Sequence, residues 1–151
     1  LSRYTASASL PYSCEQLFTI AAGIEQYPKF LPGWIRAQIT ERSENRLVVN
    51  QSLGFGLLRT SFISSARLEW PHSVHVSSAD GPFESMEIQW HFTALDEGLC
   101  RVSLDIELLM NNPALAILAD HFFRSNAQQT VARFSRRAQE VYGSNQSGEV
   151  S

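Results

Sequence analysis

One uninterrupted stretch of helical periodicity constrains this chain more than anything else in it. It runs NNPALAILADHFFRSNAQQTVARFSRRAQEVYG, from Asn111 to Gly143. Asn112 suits the N-cap and Pro113 the first helical turn. Gly143 follows the last periodic residue and reads as a stop. The span between them predicts a helix of about 30 residues, roughly 45 Å long. In a chain of 151 residues such a helix must be an organising element. Its apolar residues form two stripes. Leu115, Leu118 and Phe122 share one direction, while Ala127, Val131, Phe134, Ala138 and Val141 share another, displaced by roughly a third of a turn. Phe123 bridges the stripes, and Asn126 and Thr130 fall where they cross. Such a helix either bends around a core or covers two surfaces, one of them a pocket.

Everything upstream reads mainly as strands. Tyr4, Ala6, Ala8 and Leu10 alternate with Ser and Thr in a first strand that Pro11 ends. Ser13 with Gln16 is a capping box opening a short helix that Gly23 closes. Ile24 to Phe30 predicts a second short helix containing Pro28. After Trp34 the period falls to two, and six strands follow at hairpin spacing. Gly54-Phe55-Gly56 reads as a loose bend among them, and Asp80-Gly81-Pro82 as a tight turn. Consecutive hairpins give an antiparallel sheet of about seven strands, counting the first. The sheet must cover its apolar face, and the long helix is the element able to do so. The expectation is one α+β domain over residues 1–143 and a disordered polar tail over 144–151.

Charge places limits on function. A formal net charge of −3 gives no general attraction to nucleic acid, and DNA is not an expected partner. Cys14 and Cys100 lack metal-ligand spacing and read as free thiols in a reducing compartment, Cys100 as a core residue. No apolar run is long enough to span a bilayer, and the opening LSRYTASASL reads as a strand, not a signal peptide.

Strand parity argues against acid–base catalysis. Glu87, Gln89 and His91 oppose Met86, Ile88, Trp90 and Phe92; Asp105 and Glu107 oppose Leu104 and Ile106; Arg59 and Arg67 oppose Phe62 and Leu68. The charges therefore fall on the solvent side. Inward polar candidates are Thr60, Ser64, Asn126 and Thr130, which suit orienting a ligand carbonyl or hydroxyl. His72 and His75 face opposite sides of a strand and make a poor metal pair. There is no catalytic triad, glycine-rich phosphate loop or zinc signature. The segment Tyr27-Pro28-Lys29-Phe30-Leu31-Pro32-Gly33-Trp34 packs four large apolar groups into eight residues. It either caps the core or forms a gate or membrane-touching lip over an apolar pocket. Trp34 is expected to be more exposed than Trp90.

Several short motifs recur together. They are Tyr27-Pro28-x-Phe30-Leu31-Pro32, Gly54-Phe55 with Leu58-Arg59 and Phe62, Asp80-Gly81-Pro82-Phe83, Trp90-x-Phe92, Cys100-Arg101-Val102 and Val141-Tyr142-Gly143. In this order and spacing the chain resembles the coenzyme Q-binding START family, which also holds ribosome-association toxin homologues and polyketide cyclases/dehydrases. The resemblance implies a helix-grip fold, a curved antiparallel sheet around a C-terminal helix with an apolar tunnel between them. It implies binding of a polyisoprenoid quinone such as ubiquinone, or a related lipid, in support of respiration. Members commonly carry a cysteine near the Leu-Pro segment; here Trp34 follows Gly33 instead.

The expected function is therefore non-catalytic binding or transport of a hydrophobic small molecule, with no required cofactor and no metal. The candidate ligand-binding residues are Tyr27, Phe30, Leu31, Trp34, Phe62, Trp90, Phe122, Asn126 and Val131. The expected setting is the bacterial cytoplasm, peripheral to the inner membrane through transient contact, or the mitochondrion in a eukaryote. Two alternatives remain open. One is a ribosome-associated toxin-like protein using Arg59, Arg67 and Arg101, or Arg133, Arg136 and Arg137. The other is a polyketide cyclase or dehydratase.

Overall fold

The computed structural model describes residues 1–143, so the polar tail expected over 144–151 lies outside the described residues. The chain forms β1 (Ser2–Leu10), α1 (Cys14–Ala22), a 3₁₀ turn (Ile24–Lys29), β2 (Trp34–Arg42), β3 (Arg46–Phe55) and β4 (Leu58–Glu69). It continues with β5 (Ser73–Ser78), β6 (Phe83–Asp96), β7 (Leu99–Met110) and α2 (Pro113–Tyr142). The sheet order is β1-β7-β6-β5-β4-β3-β2, antiparallel throughout. This is the helix-grip arrangement.

Local chemistry fixes the ends of the elements. Ser13 Oγ accepts from Gln16 N at 3.1 Å and Gln16 Oε1 accepts from Ser13 N at 2.9 Å, closing the capping box of α1. Asn112 Oδ1 accepts from Ala114 N at 2.8 Å at the start of α2. Gly143 ends α2 at φ +73°, where a side chain would be strained.

Three local expectations change. The segment after Gly23 is a 3₁₀ turn, because Pro28 lacks the amide that an α-helix there would use. Gly54 and Phe55 belong to β3, and only Gly56 and Leu57 form the turn. Trp34 opens β2 rather than ending a loop.

The core lies between the sheet and α2, which rests mainly on β1 and β7. The buried residues of α2 form one continuous stripe: Ala119, Phe123, Ala127, Thr130, Val131, Phe134 and Ala138. Phe134 sits at its centre, stacked on Trp90 with centroids 4.8 Å apart and on Phe92 at 6.4 Å. Burying each such ring stabilises the fold by about 1.5–3 kcal/mol. Leu118, on the other stripe, remains 42% exposed, and Leu115 and Phe122 are half-buried. Val141, placed on the core stripe by phase, is exposed.

Candidate ligand-binding site

Between sheet and helix the interior is filled. It keeps a largely enclosed cavity of about 10 Å³, walled by Tyr27, Trp34, Gln51, Trp90 and Thr130 and by the aliphatic Val76, Ile88, Leu104 and Ile106. A hollow that size is about that of one water molecule. The tunnel that the resemblance implied is thus closed in this structure. Larger hollows lie elsewhere. An open groove of about 610 Å³ on the outer side of the sheet is lined by Val48, Ile63 and several serines. Another of about 150 Å³ lies between α1 and the end of α2, where the Arg137 guanidinium sits 5.6 Å from the centre of the Phe30 ring. The interior cavity is the candidate site because it is enclosed and apolar, where burial gives a hydrophobic ligand its affinity.

Polar groups around the cavity are few, and nearly all are engaged. Trp34 Nε1 donates to Gln51 Oε1 at 2.8 Å, Gln51 Nε2 donates to Ser64 Oγ at 2.6 Å, and Ser64 Oγ donates to Val49 O at 3.3 Å. The Tyr27 hydroxyl donates to Ala21 O. Burial pushes the Tyr27 phenol above its ordinary range, while the nearby Trp90 indole acts in the opposite direction. Even so, Trp90 Nε1 makes no hydrogen bond of normal geometry to the protein, unlike every other buried side-chain nitrogen and oxygen among the described residues. An unsatisfied donor of this kind costs about 1–3 kcal/mol. Among the described residues the buried polar side chains are Gln51, Ser64, Ser78 and Thr130, none a carboxylate or a histidine.

The nine candidate residues occupy different places. Tyr27, Trp34 and Trp90 meet at the cavity. Leu31 and Val131 are core residues at 3% and 1% exposure, away from the cavity wall. Phe62 packs edge-on against Phe83 at 4.9 Å, and Phe30 against Tyr27 at 5.9 Å. Asn126 turns back on its own helix, its Nδ2 donating to Phe122 O at 2.7 Å; Thr130 Oγ1 does the same to Asn126 O at 2.8 Å. Trp34 is more exposed than Trp90, 9% against 1%, yet both are buried. The exposed tryptophan is Trp70, at 61%, edge-on to Phe18. Among the cavity's polar residues, Gln51 is the one that sequence reasoning missed, beside the aliphatic Val76, Ile88, Leu104 and Ile106. Its signal was parity, since it alternates inward with Leu47, Val49 and Leu53.

The half-buried Phe122 ring of α2 packs against Gly33, just before β2. A Cβ built on Gly33 would stand 2.5 Å from Phe122 Cζ and 3.3 Å from Gly54 O. Gly33 tolerates this ring because it has no side chain and sits at φ +84°. Gly54 N donates to Gly33 O at 2.8 Å, holding the start of β2 against the end of β3. Large apolar residues are exposed on the neighbouring segments: Ile35 (43%) on β2, Leu57 (104%) in the β3–β4 turn, and Ile117 (73%) and Leu118 (42%) on α2. No helix among the described residues is long and apolar enough to cross a membrane.

Comparison with known proteins bears on family and fold. Residues 10–135 match the model of the family described as polyketide cyclase / dehydrase and lipid transport. The chain is 31% identical to "Ribosome association toxin RatA" of Vibrio cholerae over 95% of this chain and 99% of that protein. It is 23% identical to "Coenzyme Q-binding protein COQ10, mitochondrial" of Dictyostelium discoideum, over 91% of this chain and 69% of that one. The crystal structure of the Zhui aromatase/cyclase from a Streptomyces species superposes with a TM-score of 0.82 at 12% identity, covering 91% of this chain and 93% of that one. The last likeness concerns the fold alone.

Proposed function

The chain belongs to the polyketide cyclase / dehydrase and lipid transport family, and from that premise we propose that it binds a hydrophobic ligand without transforming it. The ligand class is a polyisoprenoid quinone such as ubiquinone, or a related lipid, held in support of respiration. The observation that carries this reading is Trp90 Nε1, a buried donor that approaches the Tyr27 hydroxyl but makes no hydrogen bond of normal geometry, in an otherwise apolar, enclosed site. A ligand carbonyl reaching it replaces an unsatisfied group with a hydrogen bond. A prenyl tail adds about 0.8 kcal/mol per buried CH₂.

Entry requires the grip to open, since the cavity is far smaller than any quinone. Phe122 is the group to move, as a half-buried ring resting on Gly33. The exposed apolar side chains of Ile35, Leu57, Ile117 and Leu118 suit transient contact with a bilayer surface, from which such a ligand would come. For a bacterial protein this reading predicts a cytoplasmic location beside the inner membrane.

Lipid extraction and native mass spectrometry of freshly purified protein test the reading, followed by titration with a short-chain ubiquinone. We expect saturable binding that Trp90→Phe weakens by about tenfold, the value of one net hydrogen bond. Absence of both co-purified isoprenoid and saturable quinone binding refutes it.

One observation favours a second reading, contact with the ribosome. Arg133 and Arg136 are exposed on α2 in a stretch, His121 to Gln139, without a carboxylate, while Arg124 and Arg137 pair with the flanking Asp120 at 3.0 Å and Glu140 at 3.9 Å. Such a face attracts phosphates although the whole chain is acidic. Ribosome co-sedimentation that falls steeply with salt, and that Arg133→Glu/Arg136→Glu abolishes, supports it.

A further inference from the structure

Away from the interior site, the fold brings together two thiols that the sequence separates by 86 positions. Cys14 opens α1, and Cys100 lies at the start of β7 opposite Leu10 of β1. The chain doubles back between Leu10 and Cys14, with Tyr12 N donating to Leu10 O at 2.8 Å. Strand pairing and a tight turn therefore set the distance between the sulfurs. Cys14 Sγ donates to Cys100 Sγ at 2.8 Å, and Cys100 Sγ donates onward to Arg101 O at 3.5 Å. A disulfide needs about 2.05 Å, less than about 1 Å of further approach. Both residues are buried, Cys14 at 8% exposure and Cys100 at 0%.

We propose that Cys14 and Cys100 are an oxidation site, forming a reversible intramolecular disulfide when the protein meets a peroxide. The Cys14 sulfur, the more exposed, attacks one peroxide oxygen. The O–O bond breaks, one water leaves, and Cys14 becomes a sulfenic acid. The Cys100 sulfur then attacks the Cys14 sulfur; the S–O bond breaks, the S–S bond forms and a second water leaves. Two thiols lose two electrons and two protons, and hydrogen peroxide takes up both. Burial holds the Cys100 thiol up to about 12, with the neighbouring Cys14 adding to the effect. Cys100, wholly buried with its sulfur 2.8 Å from that of Cys14, is the resolving partner, acting only on a sulfenic acid already in contact with it.

The bond would fasten α1 to β7. The same end of the molecule already holds the end of α2, since the Tyr12 hydroxyl donates to Gly143 O at 2.8 Å and the Tyr142 hydroxyl to Gln16 O at 3.0 Å. Oxidation thus clamps the C-terminal end of α2 and confines movement of that helix to its Phe122 end.

The test treats the full chain, natively folded, with hydrogen peroxide in the presence of dimedone, which traps sulfenic acids. We expect both thiols to disappear, the mass to fall by two hydrogens, a peptide joining positions 14 and 100, and no dimedone adduct. Cys100→Ser should instead accumulate the adduct on Cys14. The oxidised protein should melt roughly 5–15 °C above the reduced one, and a dithiol reductant should reverse the shift. A stable adduct on Cys14 of the unaltered protein overturns the proposal, as do disulfides between chains. Survival of both thiols under conditions that oxidise Cys14 in Cys100→Ser also overturns it. The comparison of reduced and oxidised wild-type protein holds even where a serine variant folds poorly.

Discussion

Gly33→Ala probes the closure between β2 and α2. Two costs arise. The backbone at φ +84° is left-handed, which costs an alanine about 1–2 kcal/mol, partly offset by about 0.4–1 kcal/mol from a less flexible unfolded chain. The added Cβ would also stand 2.5 Å from Phe122 Cζ, about an ångström inside ordinary contact. On its other side the Cβ would meet Gly54 O at 3.3 Å, a backbone atom of β3, where Gly54 is paired with Arg59 of β4. The ring must therefore yield, and displacing it adds about 1–2 kcal/mol, the low end for overpacking because Phe122 is only half-buried. The total is roughly 2–3 kcal/mol. In a Phe122→Ala background the steric part vanishes and about 1 kcal/mol remains. Urea unfolding of the four proteins at constant m-value gives the cycle. A Gly33→Ala loss that agrees in the two backgrounds to within about 0.5 kcal/mol would show that ring and glycine do not meet.

Val131→Trp follows from the filled interior. Val131 is 1% exposed and off the cavity wall, so the larger ring has nowhere to go. We expect a loss of about 3 kcal/mol or more in thermal or urea unfolding; unchanged melting would mean that the helix phase is wrong. Asp120→Asn concerns acid stability. The Tyr4 hydroxyl donates to Asp120 Oδ1 at 2.6 Å, and that bond first, then Arg124, holds the carboxyl below its ordinary range against the opposing effect of burial. Because the folded pKa is depressed, the stability it contributes is present above the ordinary carboxyl range near pH ~3.9 and is lost as pH falls through the lower folded value. The variant should be less stable than wild type at pH 7 and match it in strong acid; an equal gap at both pH values would remove the carboxylate from the account.

The sequence by itself determined the elements, because their signals are local. The cap at Asn112, the stop at Gly143 and the Ser13–Gln16 box each depend on neighbours within four residues. Alternation placed Leu104, Ile106, Trp90 and Phe92 inward, since a strand's period of two leaves no other choice once one residue is buried. From these the seven strands and the covering helix followed. Periodicity gives the direction of a side chain but not what the rest of the fold brings to meet it. Leu118 and Val131 lie on equally apolar stripes of α2, yet only Val131 is covered, because the helix rests mainly on β1 and β7. Trp34 follows Pro-Gly like a loop residue, but Gln51 on the adjacent strand takes its indole N–H and makes its burial affordable. Cys14 and Cys100 looked like isolated thiols until the β1–β7 register set them side by side. The closure of the interior around Trp90 is decided in the same way. It depends on rings from four separate segments, Tyr27, Trp34, Trp90 and Phe134, whose distances exist only once the sheet has curved around the helix.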